Sequence, residues 1–144
     1  MSGGRITAAQ DWRAYYAKTG ARPPRETLVR ALDAFDVEVG PGFAVDLGCG
    51  GGRDVVEMLR RGWHVLALDA QGSAIEALRA LPGLPSTGQL ETQISRFEDA
   101  HLPHADLINS SFALPLCTPD AFPGLWVRIT NALSPCGRFA GHLY

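Results

Sequence analysis

The sequence predicts an α/β fold in which strands and helices alternate to build a mostly parallel sheet with helices on both faces. The first observation is a buried apolar run at 43–47, which passes through a glycine-rich loop into a helical pattern that begins at Arg53. The second is another apolar run at 63–69, which follows Gly62 and ends in Asp69. A strand, a helix and a second strand in this order form one βαβ unit, which places the two strands parallel.

The remaining elements follow from the same patterns of apolar spacing and from glycine and proline punctuation. Besides the helix at 53–61, four further helices are predicted. They lie at 8–18, between Pro23-Pro24 and Gly40, at 73–79 and at 119–133. The other strands are predicted at 91–97, 105–109 and 138–144, with a turn at 134–137 before the last. Five strands result.

Composition predicts one domain that spans residues 1–144, since 144 residues with 46% hydrophobic content can bury a single core. The net charge of −2 gives no electrostatic reason to expect a nucleic-acid or acidic-membrane partner. No apolar run approaches the roughly 18 residues of a membrane span. The N-terminal residues lack the apolar core of a signal peptide, so we expect a cytoplasmic protein.

Cysteine and histidine residues give no indication of a metal site. Cys49, Cys117 and Cys136 are odd in number, far apart and outside any C-x-x-C arrangement. His101 and His104 lie on either side of Pro103, which prevents them from sharing a helical face. We therefore expect neither a disulfide framework nor a bound metal.

The loop from Asp46 to Arg53 has the sequence Asp-Leu-Gly-Cys-Gly-Gly-Gly-Arg and is the main candidate for a ligand-binding site. Glycines allow a ligand to approach the backbone, and the free N–H groups of the following helix face that ligand. Asp46 would repel a phosphate but attract a cationic amino group. The loop therefore predicts a site for a zwitterion attached to a nucleoside.

A dinucleotide-binding loop is the alternative that the spacing excludes. That fingerprint requires G-x-G-x-x-G. Counted from Gly48 its last position is Arg53, and counted from Gly50 it is Val55. Asp69, which lies 23 residues after Asp46, is nevertheless placed to accept hydrogen bonds from ribose hydroxyls, as an acid at the tip of the second strand does.

The pattern Asp46-x-Gly48-x-Gly50-x-Gly52 resembles the first motif of class I S-adenosylmethionine-dependent methyltransferases. Residues 44–81 are similar to the small methyltransferases related to tellurite-resistance and thiopurine enzymes. The resemblance implies a Rossmann-like doubly wound sheet with strand order 3-2-1-4-5. It implies S-adenosylmethionine as cofactor, S-adenosylhomocysteine as product, and a small-molecule acceptor: a thiol, an amine, an oxygen or a metalloid oxyanion.

The resemblance also implies which residues hold the cofactor. In the glycine loop and the second strand they are Asp46, Gly48, Cys49, Gly50, Gly52, Asp69 and Ala70. At the end of the third strand the adenine amino group and ring nitrogen are expected to meet Asp99 and the backbone of Ala100, with Glu98 in this role if the register differs by one residue. No catalytic residue is assigned, because a thiolate or an oxyanion needs no dedicated base.

The end of the fourth strand is expected to open into the same crevice, with Ser110 and Phe112 in the methyl-donor pocket or at the acceptor entrance. Residues 109–112 also resemble the Asn-Pro-Pro-aromatic tetrapeptide of amino-methylating DNA enzymes. Both prolines are absent here, however, and the chain lacks the basic surface that those enzymes need.

The N-terminal segment, residues 1–40, is expected to form a helical lid or cap over a Rossmann-like core at 41–144. Trp12 and Tyr16 either pack against the core or cover the sulfonium of the cofactor, which an aromatic face stabilises. Arg22 and Arg25 follow in the same segment.

The sequence ends within or just after the fifth strand, whereas the family's sheet adds a C-terminal antiparallel hairpin. An uncovered sheet edge invites pairing with another chain, so we expect a homodimer through that edge. The alternative to an active enzyme is a truncated or degenerate methyltransferase fold that binds S-adenosylmethionine or S-adenosylhomocysteine without turnover.

Overall fold

The computed structural model describes residues 14, 16–18, 22–111 and 113–142. Its core is a five-stranded sheet in which every neighbouring pair of strands is parallel and the order is β3-β2-β1-β4-β5. The strands are β1 (Phe43–Leu47), β2 (His64–Asp69), β3 (Gln89–Ile94), β4 (Ala105–Ser110) and β5 (Leu133–Gly141). The predicted fold class and strand order are confirmed.

Four helices are described in full: α1 (Glu26–Glu38), α2 (Arg53–Arg60), α3 (Gly72–Arg79) and α4 (Phe122–Ala132). Residues 14 and 16–18 are also helical. Side chains of α1, α2 and α3 share one core cluster on one face of the sheet, and α4 packs into a second cluster on the other face. None of the helices described here is long and apolar enough to cross a membrane.

Alternation along β1 decides which side chains reach the site. Val45 and Leu47 pack on the α4 side, while Ala44 lies in the cluster with α1 and α2. Because successive strand residues point to opposite faces, Asp46 points to the same side as Ala44. The register pairs Asp46 with Asn109 of β4, so these two polar side chains lie next to each other at the point where the strand order reverses.

The structure differs from the predicted bounds at two strands. β3 ends at Ile94, three residues before the predicted end, and residues Phe97–Asp99 form a short 3-10 helix instead. β5 begins directly after α4, at Leu133, so the residues of the turn expected at 134–137 belong to this strand. They form an irregularity there, because the pairing of β4 with β5 shifts register between Ala105 and Leu107. Cys136 adopts a φ of 65° at this irregularity, which reverses the local backbone without ending the strand.

A buried ion cluster ties α2 to α1. The Arg61 side chain, at the C-terminus of α2, pairs with Glu57 at 2.6 Å and with Asp33 at 2.8 Å, and the side chain of Glu57 is fully buried. A buried carboxylate is tolerated only when it is paired in this way. The cluster therefore fixes the helix that carries the glycine loop against the helix that follows residues 22–25.

Candidate functional site

The glycine loop between β1 and α2 turns sharply because three of its residues adopt left-handed backbone angles. Gly48, Gly50 and Gly52 have φ values of 74°, 53° and 92°. A Cβ on Gly48 would lie 2.4 Å from that of Ala113, whereas a Cβ on Gly50 would meet nothing within 4 Å. Gly48 therefore permits close packing, and Gly50 exposes bare backbone to open space.

The acid that ends β2 is held by the backbone around it. Oδ2 of Asp69 accepts a hydrogen bond of 2.9 Å from the N–H of Gly50, and Oδ1 accepts one of 2.9 Å from the N–H of Gln71. The N–H groups of Gly48 and Cys49 bind the carbonyl oxygen of Leu68 at 2.7 and 3.0 Å. The glycine loop and the tip of β2 thus form one hydrogen-bonded unit, with the half-buried Asp69 at its centre.

A cavity of about 510 Å³ opens at this unit, beyond the carboxyl ends of the strands. Its lining combines glycine backbone, acidic groups and an apolar wall: Gly48, Gly50, Asp69, Ala70, Gln71, Arg96, Phe97, Glu98, Ser111, Ala113 and Leu116. We call it the main cavity. Clefts that hold nucleoside-sized ligands have this volume and this mixture of a few polar groups with apolar walls.

Of the residues predicted for the adenine end, only Glu98 lines the main cavity. The carboxylate of Asp99 pairs with the Arg96 guanidinium at 2.9 Å and does not itself line the main cavity, and Ala100 lines a separate cavity with His101 and His104. The reason is the early end of β3, since the 3-10 helix at Phe97–Asp99 shifts the register of the acidic residues by one. Hydrogen bonds from its own N–H and that of Thr118 hold the pKa of Glu98 below its usual value.

A second cavity, of about 180 Å³, adjoins the main cavity and shares Gly48, Gly50 and Ser111 with it. Two acids and three arginines line it together with the loop: Arg22, Arg25, Asp46, Gly48, Cys49, Gly50, Gly51, Arg53, Asp54 and Ser111. We call it the polar cavity. It lies at the N-terminus of α2, so the dipole of that helix adds to its positive potential.

Four residues of β1, α2 and the end of β4 form a buried network beside the polar cavity. The Asn109 side-chain nitrogen donates to Oδ1 of Asp46 at 2.9 Å and to Oδ2 of Asp54 at 3.0 Å. Oδ2 of Asp54 also accepts a hydrogen bond of 2.5 Å from the Ser111 hydroxyl, and Oδ1 accepts one of 2.9 Å from the Arg25 N–H. One amide therefore holds two carboxylates together.

This arrangement makes Asp46 a weak acid. Burial raises its pKa to about 8, and the negative charges of Asp54 and Asp69 add to the shift, which the Asn109 hydrogen bond opposes. Burial, with help from Asp46 and Asp69, likewise raises the pKa of the Cys49 thiol to about 12. Cys49 is therefore a small buried residue with no thiolate at neutral pH.

The end of β4 differs in detail from the expectation. Ser110 is fully buried and its hydroxyl donates to the carbonyl oxygen of Leu47 at 2.9 Å, so it stabilises the sheet and does not line either cavity. Ser111, one residue later, lines both cavities. Asn109 is turned into the core, unlike a residue that would receive an extruded base. Phe112 lies outside the described residues.

Of the two aromatic residues predicted for a lid, Trp12 also lies outside the described residues. Tyr16 is 5% exposed and lines a third cavity, of about 240 Å³, which adjoins the polar cavity through Arg22, Gly51 and Arg53. Gly52 lines this cavity as well, and its lack of a side chain leaves room for Leu78, whose Cδ1 would lie 2.4 Å from a Cβ at this position. Neither Tyr16 nor Gly52 lines the main cavity.

Sequence reasoning did not assign Asp54, Ser111 or Arg53 to the site. The sign that could have identified Asp54 is its place in the first turn of α2, where a carboxylate faces the same cavity as the loop. The position of Ser111 could have been inferred from strand alternation if the end of β4 at Ser110 had been known, because side chains of successive residues point to opposite faces. No group of three or more His, Cys, Asp or Glu residues suited to a metal occurs in the part of the chain that the structure describes.

Comparison with known proteins identifies the family. The family model described as "Methyltransferase domain" matches residues 44–137, which is more than half of the chain and includes β1 to the start of β5. The chain belongs to this methyltransferase family. The match contains the glycine loop, Asp69, Glu98 and the end of β4.

Solved structures give the methyltransferase domain the same fold. TehB from Haemophilus influenzae superposes with a TM-score of 0.74 at 18% identity, over 90% of this chain and 44% of that one. An S-adenosylmethionine-dependent methyltransferase from Mesorhizobium loti is 32% identical, with a TM-score of 0.61 over 80% of this chain and 52% of that one.

A third similar structure is a TehB-like SAM-dependent methyltransferase from Corynebacterium glutamicum, at 22% identity and a TM-score of 0.65. The match covers 92% of this chain and 68% of that one. The domain thus spans about half of the length of the first two solved relatives. Among curated proteins, no sequence matches the chain significantly.

Proposed function

We propose that this methyltransferase domain binds S-adenosylmethionine and transfers its methyl group to a small-molecule acceptor by in-line displacement. The observation that carries the proposal is the continuity of the main and polar cavities along the glycine loop, through Gly48, Gly50 and Ser111. A nucleoside fits the larger space and an amino-acid zwitterion the smaller one. The names of the Mesorhizobium and Corynebacterium relatives support the same cofactor.

Asp69, Ala70 and Glu98 are proposed to hold the adenosine. Each oxygen of Asp69 already accepts one backbone N–H, and since a carboxylate has about four acceptor positions, each retains one for a ribose hydroxyl. Glu98 lies across the same cavity and is kept ionised by its backbone hydrogen bonds, so it is placed to accept from the adenine amino group. Asp99 and Ala100 have no proposed contact, because neither lines this cavity: the Asp99 carboxylate pairs with Arg96, and the Ala100 N–H donates to the carbonyl oxygen of Phe97.

The methionine part is proposed to lie in the polar cavity over Gly48 and Gly50. Asp46 would face its ammonium group, and the N-terminus of α2 would face its carboxylate. The bound cofactor supplies an activated methyl group on a sulfonium. The protein's part is alignment and exclusion of water, which the closed floor of Asp46, Asn109 and Asp54 supports.

The acceptor must approach from the part of the site that the cofactor leaves open. No catalytic residue is proposed, because a thiolate or an oxyanion attacks without a base and the described cavities present no histidine beside the glycine loop. Residues 1–40 are proposed as the lid over this approach and residues 41–144 as the core. Tyr16, buried next to the loop, supports the assignment.

Methyl transfer is tested by incubating the protein with S-adenosylmethionine and thiol, amine and metalloid oxyanion acceptors, and measuring S-adenosylhomocysteine. Acceptor-dependent product that disappears in Gly50→Val, which places a side chain in the open space above the loop, is the expected result. Cofactor binding without product from any acceptor would instead identify a binding module with no turnover.

The homodimer stays a prediction. Among the described residues, β5 has β4 as its one strand neighbour, and its outer backbone groups are the template that a second copy would pair with. Sedimentation velocity at micromolar concentration should show a dimer, and a single monomer boundary would contradict it.

A further inference from the structure

Three arginines surround the polar cavity at the N-terminus of α2. Arg22, Arg25 and Arg53 all line it. The pKa of the Arg53 guanidinium is lowered, first by burial and then by the positive charges of Arg25 and Arg22, while the negative charge of Asp54 opposes the shift. The Arg53 Nε also donates to the carbonyl oxygen of Pro23, so the arginine is fixed against the 22–25 segment.

Neither acid of the polar cavity forms an ion pair with Arg22 or Arg53. Asp46 and Asp54 accept hydrogen bonds from Asn109, Ser111 and the backbone N–H of Arg25, and the charge of Asp54 acts on Arg53 without a direct ion pair. Within the described residues, no carboxylate lies within ion-pair distance of Arg22 or Arg53. Arg22 and Arg53 thus line one cavity without an ion-pair partner among the described residues, and an anionic ligand would supply that partner.

The cofactor by itself does not supply an ion-pair partner for both Arg22 and Arg53. S-adenosylmethionine carries a sulfonium, an ammonium and a carboxylate, so it brings one net positive charge. Its carboxylate matches at most one guanidinium. With the cofactor in place, the arginine side of the polar cavity would therefore be still more positive, and a second, anionic ligand would be attracted to it.

The third cavity indicates the shape of that ligand. It has a volume of about 240 Å³ and shares Arg22, Gly51 and Arg53 with the polar cavity. The rest of its wall is mostly apolar and consists of Tyr16, Gly52, Val56 and Leu81. A molecule with an apolar body and one acidic group would place the body in this cavity and the acidic group between the two guanidiniums at its rim.

We propose that this third cavity binds a small organic anion with an apolar body, which Arg22 and Arg53 hold by its carboxylate or similar acidic group. The assignment of that anion as the methyl acceptor rests on the proposed function, since the cavity opens next to the methionine end of the cofactor site. Tyr16, Val56 and Leu81 contact the body of the anion, and the two arginines select for its charge.

The test uses benzoate and benzamide, which have the same shape and differ in charge. Each is titrated calorimetrically into the free protein and into the protein with S-adenosylhomocysteine. We expect benzoate to bind at least about tenfold more tightly than benzamide, and Arg22→Gln and Arg53→Gln each to remove about tenfold of that affinity, as loss of a charge-assisted hydrogen bond does. Arg30→Gln, an exposed arginine paired with Glu26, is the matched control and should change nothing.

Equal binding of benzoate and benzamide, or benzoate binding that survives both arginine substitutions, would overturn the proposal. The role as acceptor is tested with 2-mercaptobenzoate and 2-mercaptobenzamide, from which the anionic thiol should yield S-adenosylhomocysteine at least about tenfold faster. Equal rates would refute the selection of anionic acceptors. Failure of the cofactor to bind would refute the proposed function, while the benzoate titration of the free protein would still decide the anion site.

Discussion

The backbone N–H of Gly50 donates a hydrogen bond of 2.9 Å to Oδ2 of Asp69. This bond joins the loop after β1 to the tip of β2, so the residue expected to hold the ribose also holds the loop that supports the rest of the cofactor. The two parts of the site are therefore coupled, and a substitution at Asp69 tests both.

Asp69→Ala is expected to weaken S-adenosylmethionine binding by about 1–3 kcal/mol, because the ribose hydroxyls and the Gly50 N–H lose their acceptor. Asp69→Asn should lose less, since its amide oxygen can still accept one of these hydrogen bonds. Calorimetry with both variants measures the difference, and Glu76→Gln on the exposed face of α3 serves as the control. Unchanged affinity in a folded Asp69→Ala protein would remove Asp69 from the site.

Glu98 and its neighbour Asp99 provide a test of register. Glu98→Ala should weaken binding of adenosine-containing ligands through loss of one hydrogen-bond acceptor, whereas Asp99→Ala should leave that binding unchanged. The reason is that Asp99 is exposed and faces Arg96. A larger loss for Asp99→Ala than for Glu98→Ala would restore the register that the sequence pattern suggested.

How much the sequence could predict depends on how local each signal is. The pattern around Asp46 and Asp69 fixes β1, β2 and the loop to within one residue, because glycine angles and apolar runs are properties of short segments. The end of β3 has no such signal, since its residues are half-exposed or exposed and mostly polar, and the predicted end was three residues too late. The contact of Asn109 with Asp54 depends on which strand lies next to β1, and no local pattern contains that information.

Asp46 predicts how stability depends on pH. Burial raises the pKa of this side chain to about 8 in the folded protein, whereas the unfolded chain releases the proton near the ordinary aspartate pKa of 3.8. The free energy of unfolding should therefore fall as pH rises from about 4 to about 8 because of this group. Asp46→Asn removes the buried charge, so it should stabilise the cofactor-free protein at pH 8 more than at pH 5, as urea denaturation would measure.

The same substitution should weaken cofactor binding, because an amide does not attract the ammonium group. In the wild type at pH 7, binding of that ammonium should also release a proton from Asp46, and the release appears as a binding enthalpy that varies with the ionisation enthalpy of the buffer. If the binding enthalpy is the same in phosphate and Tris, or if Asp46→Asn keeps full affinity, Asp46 does not face the ammonium.

Substitutions at two glycines of the loop test whether the fold requires glycine at Gly48. Gly48→Ala should destabilise the fold by more than about 1 kcal/mol, because its φ is 74° and the new Cβ would lie 2.4 Å from that of Ala113. Gly51→Ala is the matched control, since an added Cβ there meets nothing within 4 Å and its φ is not left-handed. Thermal unfolding of the two variants measures the contrast. Equal midpoints would show that the loop relaxes around Gly48.

Whether the glycine loop forms a methyl-donor site is decided by a calorimetric titration of the purified chain with S-adenosylmethionine, S-adenosylhomocysteine and NADH. The structure predicts saturable one-to-one binding of the two adenosyl ligands, because the acid at Asp46 and the loop from Gly48 to Gly52 suit a zwitterion, and it predicts no saturable binding of NADH. Binding of NADH in place of the adenosyl ligands, or no binding of either adenosyl ligand by a folded chain, would contradict the account.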